Sequence, residues 1–278
     1  MEQAIRARCD PGGKALVPFF TAGFPNDTRF MEALRQAADA GCDVVEVGVP
    51  FSDPIADGPV IQNAGQRCLE RGMTVRRALD LIDRAAISVP VVLMSYVNPI
   101  LAYGCDRLLR DVRAVGVRGL VIPDLPFKRS APGPMGSCVA VRSDPFEAFD
   151  RLWTKGLERI LLAAPTTQAE RLGRIGRQTR GFLYAVTVTG VTGVRDRLPP
   201  ETAEFLRRAR AATHRPVLAG FGIASAKTAA QIAIHCDGVI IGSALIEILK
   251  CGSGRESIKQ LGRFLVQVRR ALSERHGG

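Results

Sequence analysis

Residues 43–59 read DVVEVGVPFSDPIADGP. The first part, Asp43 to Gly48, is a short run rich in valine, the pattern of a buried β-strand. It enters a Pro-broken loop, and Pro59 then opens a helical pattern that continues to Arg71. Glu46 sits inside the strand with apolar neighbours on both sides, and the loop carries two more carboxylates, Asp53 and Asp57. An ionised carboxylate in an apolar strand is costly to bury unless it is paired or its pKa moves. Two readings are open on this stretch alone. Either Glu46 is a satisfied core carboxylate with turn-forming aspartates beyond it, or the loop returns a second carboxylate to the strand end and builds an acid/base pair.

The same strand–loop–helix unit recurs along the chain. Strands are predicted near Ala15–Phe20, Val44–Gly48, Val91–Tyr96, Gly119–Pro123, Arg159–Ala164, Phe182–Thr187, Val217–Gly220 and Gly238–Ile241. Amphipathic helical patterns lie between them, and two open on clear cap residues, Thr74 before VRRALDLI and Ser225 before AKTAAQIA. Eight such units predict an α/β fold, the (β/α)8 TIM barrel, as one domain over residues 1–278. A doubly wound open sheet would place a Gly-rich fingerprint after its first strand, where this chain has TAGFPNDT instead. The first ten or so residues are expected to form a short helix closing the barrel bottom. Residues 128–143, KRSAPGPMGSCVAVRS, break the rhythm: they are rich in Gly, Pro and Ser where a short strand-to-helix link belongs.

Composition removes several function classes. No apolar run is long enough to span a membrane and no signal-peptide core opens the chain. The seven cysteines are scattered, odd in number and free of C-x-x-C pairs, which argues against a disulfide framework or zinc site and predicts a reducing, cytoplasmic setting. The formal net charge of +11 comes mostly from arginines dispersed over helical stretches, with only 6% aromatic residues to interleave with them. No nucleic-acid platform is visible, and the arginines read as solvated helix faces whose field would still attract a phosphorylated substrate. None of the three histidines falls at a predicted strand end, so acid/base work falls to carboxylates, with a tyrosine as the further candidate.

In such a barrel the chemistry sits at the C-terminal ends of the strands. Those ends carry Glu46 and Asp57, then Tyr96 and Asn98, then Asp124, then Tyr184 running into TVTGVTGVRDRLPP. The last two are glycine-rich: Gly220-Phe221-Gly222 precedes one helix and Gly242-Ser243 opens another. Glycines there let backbone N–H groups and a helix N-terminus approach an anion, so a phosphate site is expected. The loop 187–197 has the length and the glycines of a lid.

The segments PFFTAGFP, EVGVPFSDPIADGP, YVNPILAYG, IPDLP, APTT, VTGVTG, GFGI and GSA, in this order from Lys14 to Lys250, resemble the tryptophan synthase alpha chain family. The resemblance implies a lyase that cleaves indole-3-glycerol phosphate to indole and glyceraldehyde 3-phosphate by a retro-aldol step. By matching position, it implies Glu46 as the general acid/base, Asp57 as the carboxylate that receives the indole N–H, and Tyr184 beside Glu46. It implies Phe19, Tyr96, Leu162 and Phe221 along the indole pocket, Gly193, Gly222, Gly242 and Ser243 at the phosphate, and Thr192 as the lid contact of Asp57. It implies no cofactor in this chain, with pyridoxal phosphate held by a beta chain partner in an alpha2-beta2 complex, docked at the Val49–Pro59 loop and the segment near Asn98 and Pro126. The chain departs from the family at residues 128–143, beside that docking surface. A stand-alone indole-releasing lyase and a non-catalytic activator of a beta chain are the alternatives.

Overall fold

The computed structural model describes residues 1–10, 12–126, 145–187, 198–220, 222–251 and 254–273. Eight parallel strands close on themselves in chain order: β1 (Ala15–Thr21), β2 (Val45–Gly48), β3 (Val91–Met94), β4 (Val117–Val121), β5 (Glu158–Ala163), β6 (Leu183–Val186), β7 (Val217–Gly220) and β8 (Gly238–Ile241). β8 pairs back to β1, with Ala15 opposite Gly238. The helices are α1 (Glu2–Cys9), α2 (Asp27–Asp39), α3 (Pro59–Glu70), α4 (Val75–Ala85), α5 (Val97–Tyr103), α6 (Cys105–Ala114), α7 (Pro145–Thr154), α8 (Ala169–Gln178), α9 (Pro200–Ala211), α10 (Ala226–Ala233), α11 (Ser243–Cys251) and α12 (Gly254–Ser273). This is the (β/α)8 barrel that the eight apolar runs predict.

The strands are apolar on both faces because both are covered. On β2, Val45 and Val47 face the layer between strands and helices, whereas Val44 faces the barrel interior with Phe19, Val92 and Tyr184. The period of two along a strand therefore turns Glu46 inward with Val44. The interior is sealed at the bottom by α1. Its Ile5 is fully buried in the interior cluster, and Met1 packs beside it. Complete burial of one such side chain stabilises by roughly 1.5–3 kcal/mol.

Cap residues fix where the helices start. The side chains of Asn26, Thr74 and Ser225 accept hydrogen bonds from the backbone N–H groups of Arg29, Arg77 and Thr228, at 3.1, 3.2 and 3.1 Å. The sequence reading runs the third strand to Tyr96 and places no helical pattern directly after it. The chain instead ends β3 at Met94 and forms α5. Pro99 lies in its first turn, where a missing N–H costs nothing. Both carboxylate oxygens of Asp124 accept from the Val97 N–H, at 3.0 and 3.2 Å, so a residue at the end of β4 caps α5. The atypical segment 128–143 lies outside the described residues, as does the expected lid beyond Thr187. No helix among the described residues is long and apolar enough to cross a membrane.

Candidate active site

Glu46 stands in register with Phe19 on β1 and Val92 on β3, inside the barrel. Its side chain is fully buried, and neither carboxylate oxygen has a hydrogen-bond partner among the described residues. Burial is the main force on its pKa and the nearby Asp57 carboxylate the second; together they push it up to about 8. Of the two readings open from sequence, the described residues supply no bond that would satisfy Glu46 as a core carboxylate. A buried acid with nothing to pair it stays protonated near neutral pH.

Asp57 reaches the same region from the loop between β2 and α3. That loop is held in shape by its own backbone and by Gln62 on α3. The Asp57 N–H donates to the Pro54 carbonyl at 3.1 Å, and Gln62 Nε2 donates to the Asp57 carbonyl at 2.8 Å. The Tyr96 hydroxyl donates to the Asp57 carboxylate and accepts from the Ala56 N–H at 3.2 Å. Burial raises the Asp57 pKa to about 6 and the Tyr96 bond opposes that rise. Asp57 is thus ionised at neutral pH while Glu46 is not, and two carboxyls in one site are set to different tasks. Tyr184 is held well above the usual phenol range by its burial and by the charges of Glu46 and Asp57, so it stays protonated.

A cavity of about 480 Å³ opens above these groups. Asp57, Phe19 and Tyr184 line it together with Gly222, Gly242 and Ser243. Gly242 precedes α11, whose helical bonds begin when the Leu245 N–H donates to the Gly242 carbonyl at 2.9 Å. The amides of Ser243 and Ala244 thus precede the intrahelical ladder, as an anion site at a helix N-terminus requires. Gly222 has φ +77°, a backbone conformation that side chains with a Cβ rarely adopt.

Not all the expected residues line this cavity. Glu46 lies buried next to it rather than on its wall. Tyr96 lines a narrow crevice behind the Asp57 loop, with its ring 5.2 Å from that of Phe51. Leu162 is in register with Tyr184 but faces a neighbouring depression with Thr167 and Arg171. Thr192, Gly193 and Phe221 lie outside the described residues.

The structure adds Gly48, which no local sequence signal singles out, and gives Gly220 of the expected glycine-rich strand end a packing role. A Cβ on Gly48 would stand 2.5 Å from the Phe19 ring, and one on Gly220 would stand 2.6 Å from the Tyr184 ring. Both glycines are strand residues whose missing side chains make room for an aromatic ring of the site. Met94, Ile61 and Ile240 complete the apolar wall.

The chain matches the sequence profile of the tryptophan synthase alpha chain family over residues 6–274. It is 46% identical to a tryptophan synthase alpha chain of Carboxydothermus hydrogenoformans over 250 residues, covering 89% of this chain and 88% of that one. It is 38% identical to the tryptophan synthase alpha chain of Microcystis aeruginosa, covering 97% and 98%. Its fold overlays the crystal structure of the tryptophan synthase alpha subunit of Legionella pneumophila with a TM-score of 0.81 at 32% identity, covering 98% and 97%. With the closed barrel, the paired carboxyls and these matches together, the chain belongs to the tryptophan synthase alpha chain family, whose reaction is the lyase step from indole-3-glycerol phosphate to indole and glyceraldehyde 3-phosphate.

Proposed function

We propose that this chain performs that cleavage with Glu46 as general acid/base, Asp57 as the electrostatic partner of the indole N–H, and the amides at Gly222, Gly242 and Ser243 as the phosphate seat. The observation that carries this reading is the buried Glu46, without a hydrogen-bond partner among the described residues and held protonated to about pH 8 beside an ionised Asp57. With the phosphate at the α11 N-terminus, the indole ring lies against Phe19, Met94, Ile240 and Tyr184. Neutral Glu46 gives its proton to indole C3, the carbon that bears the glycerol chain. The positive charge that spreads to the indole nitrogen is met by Asp57, which accepts the N–H. The C3–glycerol bond then breaks. Its electron pair returns to the ring and restores neutral indole, while the adjacent hydroxyl becomes the aldehyde and yields its proton to the Glu46 carboxylate. One proton enters and one leaves, so the site is regenerated without water or redox change.

Because Glu46 lies off the cavity wall, substrate entry moves the Phe19 ring or the Asp57 loop aside. Tyr96 acts through Asp57, holding that carboxylate by its hydroxyl. We assign pyridoxal phosphate to a beta chain partner and not to this chain. Support for a partner surface on the Asp57 loop comes from Ile55, a large apolar residue that is 78% exposed, with Leu101 of α5 also exposed. The alpha2-beta2 stoichiometry is taken from the family resemblance.

The test is indole release from indole-3-glycerol phosphate by the purified chain, alone and with a cognate beta chain. Slow release that rises sharply with the partner is expected. Fast release indifferent to the partner would make it a stand-alone lyase, and no release in either case would overturn the catalytic reading. The phosphate seat has its own test. Gly222→Asp and Gly222→Asn both place a side chain that tolerates the left-handed backbone, and only the first brings a charge. Gly222→Asp is expected to raise KM by at least about tenfold over Gly222→Asn, as a like charge against the phosphate demands. Equal KM values would remove Gly222 from the seat.

A further inference from the structure

At the opposite end of the barrel a second cavity, of about 370 Å³, opens between α1, the α8–β6 turn and the α9–β7 turn. Its charged lining is Arg6, Arg177, Arg180 and Arg215, with Thr213 and His214 between them. No carboxylate among the described residues lines it. The nearest counter-charge is Glu2, which is already shared: Arg6 Nε donates to it at 2.8 Å and Arg215 Nη1 donates to its other oxygen. One oxygen of Glu158 faces the amino terminus of Met1, at 3.6 Å, and this carboxylate does not line the cavity.

The remaining bonds of these arginines run to neutral carbonyls. Arg6 Nη2 donates to the His214 carbonyl at 2.6 Å, and Arg180 Nη1 donates to those of Arg177 and Thr179, both at 2.9 Å. Such bonds fix where the guanidinium groups stand without neutralising them. Arg177 and Arg180 form no ion pair among the described residues. Four guanidinium groups around one cavity, with one carboxylate between them, leave an excess of positive charge that repels itself until an anion enters.

We propose that this basal cavity binds a small phosphate-bearing anion. Guanidinium groups recognise phosphate oxygens in pairs, and an Arg set contributed by three separate segments encloses such a group from several sides. The cavity falls in the size range of small-molecule sites. Its concavity favours a metabolite over a nucleic-acid backbone, which would need an open stripe of charge and aromatic stacking partners. The site is distinct from the phosphate seat at Gly222, Gly242 and Ser243, which lies across the barrel. Its occupant would tie the N-terminal helix to two of the turns that feed strands β6 and β7.

The probe is pyrophosphate, titrated calorimetrically into the full chain at about 0.15 M salt, where diffuse surface attraction is largely screened. Titration is done in the Gly222→Asp background, which disables the strand-end seat, and again with Arg177→Ser and Arg180→Ser added. Both arginines are exposed, so the fold is expected to persist, which melting without ligand checks. One saturable site is expected, weakened at least about tenfold by the serine pair, together with a rise in Tm on adding pyrophosphate that the pair abolishes. Binding that is absent at this salt, or equal in the two proteins, would overturn the proposal. So would tighter binding of a single-stranded oligonucleotide that the serine pair weakens equally, since the cavity would then be part of a nucleic-acid surface.

Discussion

Glu46→Gln is expected to lower kcat by about 10²–10⁴, the usual share of a positioned general acid/base, while the barrel and substrate binding persist. The amide occupies nearly the same volume in register with Phe19 and Val92, so packing inside the barrel is retained. What it removes is the proton to be delivered to C3 and the base that recovers it. Steady-state indole release, with the binding of a non-cleavable phosphate analogue as control, separates the two effects. A variant with near-wild-type kcat would show that Glu46 carries no proton in the reaction. A variant that loses binding as strongly as turnover would make Glu46 a structural residue.

The second large effect is on stability. The Glu46 carboxyl rises from an ordinary value of 4.5 to about 8 on folding, and Asp57 from 3.8 to about 6. A carboxyl with a raised folded pKa holds its proton in the folded state after the unfolded chain has lost it. Its penalty is absent below the unfolded pKa, grows as pH rises between the two values and is complete above the folded one. Stability is therefore expected to fall from pH 5 to pH 8, with Glu46 accounting for roughly 3 to 4 kcal/mol of the fall. In Glu46→Gln the slope over that range shrinks to the Asp57 contribution, which is complete soon after pH 6. Urea unfolding of both proteins at several pH values measures this, and parallel curves would contradict it. The cost that the chain carries at neutral pH is that of keeping a carboxyl buried inside the barrel, and under the proposed role it is function traded against stability.

Much of this fold is legible in the sequence because a parallel barrel hides both faces of its strands. Short valine- and isoleucine-rich runs such as 44–48 and 238–241 therefore stand out from the amphipathic helices between them. Thr74 and Ser225 mark helix starts by a local bond, so they too can be read from sequence. α5 is different. Its first N–H is met by Asp124, 27 residues away, and no local signal reports such a partner. The site divides in the same way. That Glu46 and Asp57 share a strand end is one of the two readings their spacing leaves open. That Glu46 has no hydrogen-bond partner among the described residues depends on what β1, β3 and β6 bring around it. The room that Gly48 and Gly220 leave for the rings of Phe19 and Tyr184 is visible only once other strands are in place. Tyr96 and Leu162 carry the right chemistry on the right strand ends, yet they face adjoining hollows rather than the main cavity. The arginines of the basal cavity, spread from residue 6 to residue 215, read along the chain as solvated helix faces. Only the closure of the barrel gathers them.

The protonation state of Glu46 bears most directly on this account. Carbon-13 labelling of the glutamate carboxyls, with Glu46→Gln to assign the Glu46 signal, allows that group to be titrated in the ligand-free chain by NMR. A midpoint near 8 is the predicted result. A midpoint near the ordinary 4.5 would mean that Glu46 is ionised at neutral pH and has no proton to give.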